Sequence, residues 1–180
     1  MLLRQIPFCN LTIIMESNPE EKWEGKFSAK LLELKAEQVW PLIEDFCNVH
    51  RWLPTADNCH LVEGIAGQLG CVRYCSKSSA SSDGSDGTIN WATERLIAVD
   101  AKERYITYEI VENNVGFGSY VATMKVLAGE GPVENDGCEI EWSFVADPVA
   151  GWKQEGLIAF LESNLQGMAK RIEEALLVSK

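Results

Sequence analysis

Positive charge is in short supply along this chain: 16 lysines and arginines stand against 27 aspartates and glutamates in 180 residues, a formal net charge of −11. Such a surface repels nucleic acid and anionic membrane, so neither is an expected partner. Histidine is scarce as well, with only His50 and His60. The six cysteines (Cys9, Cys47, Cys59, Cys71, Cys75, Cys138) contain no C-x-x-C pair, which leaves zinc without a ligand set. Cys71 and Cys75 would share a strand face but lie about 13 Å apart at strand rise. All six are therefore read as free thiols, and the chain as cytoplasmic. No run of about 18 apolar residues occurs, so stable membrane insertion is not expected. A Gly-rich phosphate loop, a nucleophile elbow and kinase motifs are all missing.

The opening "MLLRQIPFCNLTIIM" is apolar but interrupted by Arg4, Pro7 and Asn10. A signal peptide there would be poorly formed, since its basic start is the single Arg4 and no small-x-small site follows. Met15 begins "MESNPEEK", which looks like an ordinary start. Residues 1–18 are read as a disordered extension or the product of an upstream start codon, with organelle targeting the less favoured alternative. Residues 19–180 have neither a linker nor an internal repeat and are read as one domain. A chain of this length can bury about 70% of its unfolded surface.

Period-two alternation marks a half-buried strand in "KWEGKFSAKL", with Trp23, Gly25, Phe27 and Ala29 on one side. Val39, Leu42, Ile43 and Phe46 then recur at helical spacing, with Pro41 expected to kink or shorten that helix. "NVHRWLP" is read as a second short helix ending before Pro54. His50 is placed on a helix surface and His60 on a strand edge. Six strands follow, near 58–65, 69–77, 88–98, 104–113, 119–128 and 137–146, separated by turn signals such as "SSDGSDG" and "NNVGFG". Short turns force them antiparallel. A long helix closes the chain, about 151–177, with Ile158, Leu161, Leu165, Met168, Ile172 and Leu176 in one stripe. The fold class is α+β: a seven-stranded curved antiparallel sheet around a long C-terminal helix, with two short helices after the first strand. The space between sheet and helix is where a small molecule would sit. Trp40, Trp52, Trp91, Trp142 and Trp152 are assigned to the core or to that cavity's lining.

One residue does not suit a core strand. In "INWATERLIAVD", Glu94 sits mid-strand with Ala92 and Leu96 on its side. If Asp83-Gly84 forms the preceding hairpin tip, Arg73 falls directly opposite Glu94, close enough for an ion pair. If Asp86-Gly87 forms it instead, Arg73 faces Asp100. Both faces of these strands are equally apolar, so periodicity alone leaves open whether such a pair is buried or is a surface bridge worth at most about 1 kcal/mol.

The segments "WEGKFSAKL", "EQVWPLIEDFCNVHRWLP", "LVEGIAGQLGCVRYC", "WATERLIAVD", "SYVATMKV" and "WSF" resemble, in the same order, plant lachrymatory-factor synthases and their relatives. Those belong to the polyketide cyclase/dehydrase group of the START-like superfamily. The resemblance runs from about Trp23 to Glu174 and is most specific in "GCVRY". It implies a helix-grip fold and a cofactor-free rearrangement of an alkenyl sulfenic acid into a thial S-oxide, which moves a proton from oxygen to carbon. It also implies three catalytic residues: Glu94 to carry the proton, Arg73 to hold oxygen and orient the carboxylate, and Tyr120 to hydrogen-bond from the far wall. The Ser/Gly/Asp-rich segment 76–88 departs from the synthase pattern, so the resemblance leaves the substrate open. The expected activity is that of an isomerase, lyase or cyclase acting in an internal cavity. The competing reading is a non-catalytic carrier or receptor for an apolar metabolite or lipid. The serine-glycine-leucine-proline gate and histidine-arginine-leucine latch of the receptor branch are not found in "SSASSDGSDG" or "NNVGFG". In either case the partner is a small apolar or polar-headed organic ligand, and the chain is expected to act as a monomer.

Overall fold

A computed structural model describes residues 22–79, 87–129 and 137–177. The extension 1–18 lies outside the described residues. The elements run β1 (Trp23–Leu31), α1 (Ala36–Glu44), a 3₁₀ helix (Phe46–Arg51), β2 (Asn58–Glu63), β3 (Val72–Ser79), β4 (Thr88–Asp100), β5 (Tyr105–Asn113), β6 (Tyr120–Ala128), β7 (Cys138–Ala146) and α2 (Gln154–Leu177). The strands form one antiparallel sheet in the order β1-β7-β6-β5-β4-β3-β2. Six of them follow as a meander, and β1 returns to pair with β7. This is the helix-grip arrangement expected from the element order.

Local chemistry accounts for each element. Alternation in β7 buries Cys138, Ile140, Trp142, Phe144 and Ala146 while Glu139, Glu141 and Ser143 stay on the wetter side. Nine-residue α1 buries Val39, Trp40 and Ile43, and Pro41 inside it removes one helical donor. On α2, Leu161, Leu165, Met168 and Ile172 are buried as the stripe requires, and Leu157 and Asn164 join them. Ile158 and Leu176 pack at its margins. Asn164 satisfies its amide by donating to the Phe160 carbonyl one turn back, 2.8 Å away.

Glycine is required at two close approaches. A Cβ on Gly25 would collide with the Phe144 ring, and one on Gly167 with Pro54. The second contact lets α2 lie against the segment that follows the 3₁₀ helix, where Arg171 also donates to the Leu53 carbonyl at 3.3 Å.

Two expectations need correction or adjustment. Cys59 and Cys75 are not free thiols: they are joined in a disulfide between directly opposed positions of β2 and β3. Spacing gave no hint of it, because residues 16 apart in sequence meet only through the β2–β3 register. The cysteine-based argument for a reducing compartment therefore fails, and with it the reason for a cytoplasmic assignment. Cys47, Cys71 and Cys138 are free and buried. His60 lies exposed on edge strand β2 as expected, whereas His50 is half-buried, its Nδ1 enclosed without a hydrogen-bond partner among the described residues. No helix among the described residues is long and apolar enough to cross a membrane.

Candidate active site

The β3–β4 hairpin places Arg73 opposite Glu94, Cys75 opposite Ala92 and Lys77 opposite Asn90. This is the register of an Asp83-Gly84 tip, although the tip itself lies outside the described residues. The alternative register fails, since Arg73 pairs with Glu94 and not with Asp100. Beside the site the β4–β5 ladder slips between Thr93 and Glu94, and again between Leu96 and Ala98. Bulges of this kind bend and twist the strands, and they curve the sheet around the cavity.

Arg73 is 3% exposed, an unusual place for a guanidinium. Its Nε donates to Glu94 Oε2 at 2.6 Å and its Nη1 to the Phe46 carbonyl. The Phe46 ring lies 3.8 Å from Cζ, with the Tyr108 ring at 5.1 Å on another side. Charge, hydrogen bonds and aromatic faces together offset the desolvation of the cation. The pair is not saturated: Arg73 Nη2 and Glu94 Oε1 make no hydrogen bond among the described residues, and both side chains line the cavity. A donor and an acceptor thus stand side by side, unoccupied.

The cavity has two compartments. The outer one, about 640 Å³, is walled by Leu53, Phe117, Val149, Trp152, Leu157 and Phe160, with Lys77 and Asn90 on its sheet side. The inner one, about 140 Å³, reaches Tyr108, Tyr120, Met124 and Trp142. Arg73 and Glu94 border both. The roof comes partly from the β5–β6 loop. There Asn113 Oδ1 accepts from the backbone N–H groups of Val115, Gly116 and Phe117, and its Nδ2 donates to the Phe117 carbonyl at 2.9 Å. One side chain so organises the turn that carries Val115 and Phe117 over the pocket.

Tyr120 lies on β6, two strands from Glu94, with its ring stacked on Phe144 at 5.7 Å and 6.5 Å from that of Tyr108. Burial raises the pKa of both tyrosines, with the Glu94 charge adding to the rise for Tyr108 and the Tyr108 and Glu94 charges for Tyr120. Both hydroxyls therefore remain protonated at neutral pH and serve as hydrogen-bonding groups rather than bases. Trp142 Nε1 is buried in the same region with no hydrogen-bond partner among the described residues.

The structure thus brings Arg73 and Glu94 into contact and leaves Tyr120 across the inner compartment from them. Trp40, Trp52 and Trp142 belong to the core, while Trp91 and Trp152 line the outer compartment. Sequence reasoning missed Phe46, Tyr108 and Asn113. The alternation of Ile106, Tyr108 and Ile110 in β5 could have put Tyr108 on the cavity face. Nothing local marks the Phe46 carbonyl as the acceptor for an arginine 27 residues away.

With the sheet, the long helix and the cavity between them in place, the match of residues 26–176 to the family described as "Polyketide cyclase / dehydrase and lipid transport" decides the kinship. The chain belongs to that family. Among solved structures it is similar to the protein XoxI from Bacillus cereus, with a TM-score of 0.64 and 29% identity over 86% of this chain and 95% of that one. An uncharacterized protein from Bacillus thuringiensis is similar to the same degree, with a TM-score of 0.63 and 30% identity over 86% and 98% of the two chains. Both of these similar structures are bacterial, so the kinship shown is with the family at large and not with its plant synthases in particular. Membership agrees with a cavity built for a small, largely apolar ligand.

Proposed function

We propose that this protein is a cofactor-free proton-transfer enzyme whose cavity holds a small molecule by a polar head placed against Arg73 and Glu94. The observation that carries the proposal is the unsaturated ion pair: Nη2 and Oε1 are left open in a pair whose other bonds are made. A hydroxyl-bearing head would donate to Glu94 and accept from Arg73. Glu94 would take the proton from oxygen, the guanidinium would stabilise the oxyanion so formed, and Glu94 would return the proton to carbon. Such an isomerisation neither adds nor removes atoms, and it is the type implied by the resemblance to lachrymatory-factor synthases. Tyr120, held protonated by burial, would hydrogen-bond the substrate from the inner compartment.

The test supplies an alkenyl sulfenic acid, generated in place, and follows thial S-oxide formation in deuterium oxide. The wild-type protein should form product labelled at carbon. Glu94→Gln, which keeps shape and an acceptor, should lose about 10²- to 10⁴-fold in rate. Activity near wild type in that variant would exclude Glu94 as the proton carrier. Stoichiometric ligand binding with no turnover of any hydroxyl-headed substrate would leave the carrier reading, which the large apolar outer compartment favours.

A further inference from the structure

The cavity wall repeats its pairing pattern. Outward along β3 and β4 on one face come the opposed pairs Arg73–Glu94, Cys75–Ala92 and Lys77–Asn90. The middle pair is small and carries no charge, and Cys75 is tied back to Cys59. The outer pair is polar again, and both of its members line the outer compartment. Four residue steps of strand lead from Arg73 to Lys77, a span of about 13 Å.

We infer that Lys77 and Asn90 form a second anchoring subsite, so that the ligand carries two polar groups about 13 Å apart, joined by an apolar segment. This deepens the reading of the deep pair given above and rests on it. The two ends differ in what they accept. At the deep end Glu94 sits beside the guanidinium and disfavours an anion, so a neutral hydroxyl or carbonyl head belongs there. At the outer end Lys77 donates one hydrogen bond to Asp57 at 2.7 Å, and an ammonium has two donors more. The Asn90 side chain opposite makes no hydrogen bond among the described residues and offers an amide donor. Asp57 is occupied besides by the Ser78 backbone N–H at 2.9 Å, and together with the lysine this lowers its pKa. Glu94 lines the cavity beside its guanidinium, whereas Asp57 does not line it, so at the outer end Lys77 and Asn90 present donors to the compartment, suited to an oxygen acceptor, best of all a carboxylate. Between the ends, Trp152, Phe160 and Leu157 present apolar surface to the connecting chain. The ligand class is a medium-chain amphiphile with a neutral polar head and an acceptor-bearing far end, such as an ω-hydroxy acid.

Calorimetry with ω-hydroxydecanoic acid and decanol tests this, because both carry the deep hydroxyl and only the first carries a far carboxylate. The wild-type protein should prefer the hydroxy acid by about tenfold, the worth of a charge-assisted hydrogen bond. Lys77→Met should erase that preference, and Asp57→Asn should widen it by freeing the ammonium. Equal affinity of the wild type for both probes, or a preference that survives Lys77→Met, would overturn the subsite. Arg73→Leu (or Arg73→Lys, should the leucine variant not fold) should weaken both probes alike. If it leaves both unchanged while the Lys77-dependent preference holds, the deep-anchor reading fails and the outer subsite stands. Binding of neither probe would overturn both.

Discussion

The two halves of the sheet solve different problems. In the β1–β7–β6 half, nine consecutive pairs join β1 to β7 and nine join β7 to β6, with no shift of register in either ladder. Its inner face carries no charged side chain, and α2 packs directly on β1 and β7. In the β3–β4–β5 half the ladder slips twice, a guanidinium and a carboxylate sit on the inner face, and a disulfide ties β3 to the edge strand. One straight helix covers only part of a curved sheet. The rest is covered by short pieces: the 3₁₀ helix against β2 and β3, α1 against β5 and β6, and the β5–β6 loop. Short covers leave space, and the cavity beside Arg73 and Glu94 is that space. One half chiefly holds the fold together and closes the inner compartment with Tyr120, Met124 and Trp142, and the other carries the ion pair and most of the cavity wall.

That division can be broken experimentally. The largest effect is expected from Ile140→Ala, which removes a fully buried side chain from the continuous half. It should cost about 2–5 kcal/mol in denaturant unfolding while leaving ligand affinity unchanged. An affinity loss of similar size would show that the halves are not separable.

Next comes the disulfide. Cys59→Ser with Cys75→Ser should destabilise by roughly 3 kcal/mol through loop entropy. Unlike the core variant, it should also loosen ligand binding, because Cys75 lines the outer compartment. Loss of stability with affinity intact would make the bridge a fastener only. A mass shift on alkylation under non-reducing conditions checks the bond itself.

The smallest effect concerns the end of the continuous half, where Asp147 takes hydrogen bonds from Lys22 and from the Ser119 backbone at the foot of β6. The Lys22 bond, then the Ser119 bonds, hold its carboxyl down to about 2. A depressed acid contributes stability that is present above its unfolded value of about 3.9 and is lost as pH falls through the folded one. Melting temperature should therefore fall between about pH 4 and pH 2 in the wild type, and less steeply in Asp147→Asn. Parallel curves for the two proteins would remove Asp147 from the acid response.

Much of this was legible in the residues, and the exceptions have physical causes. Alternation in β1, β6 and β7 gave strands and faces, and the α2 stripe gave the helix and most of its buried residues. The Arg73–Glu94 pairing followed from a turn dipeptide by counting, and the structure selects between the two registers that counting allowed. What failed was whatever depended on segments far apart in sequence. Cys59 meets Cys75 through a β2–β3 register that no turn signal announced. The Phe46 carbonyl reaches Arg73 only because the 3₁₀ helix lies across the sheet.

By itself, the order of residues determined which stretches become strands and helices, which side chains share a face and which strands can pair, because these depend on backbone geometry over a few residues. The tertiary structure alone decided that the face bearing Arg73 and Glu94 is the enclosed one, that two bonding positions there stay open, and how large the space beside them is. Burial is a property of what lies on top, and what lies on top of β3 and β4 arrives from elsewhere in the chain.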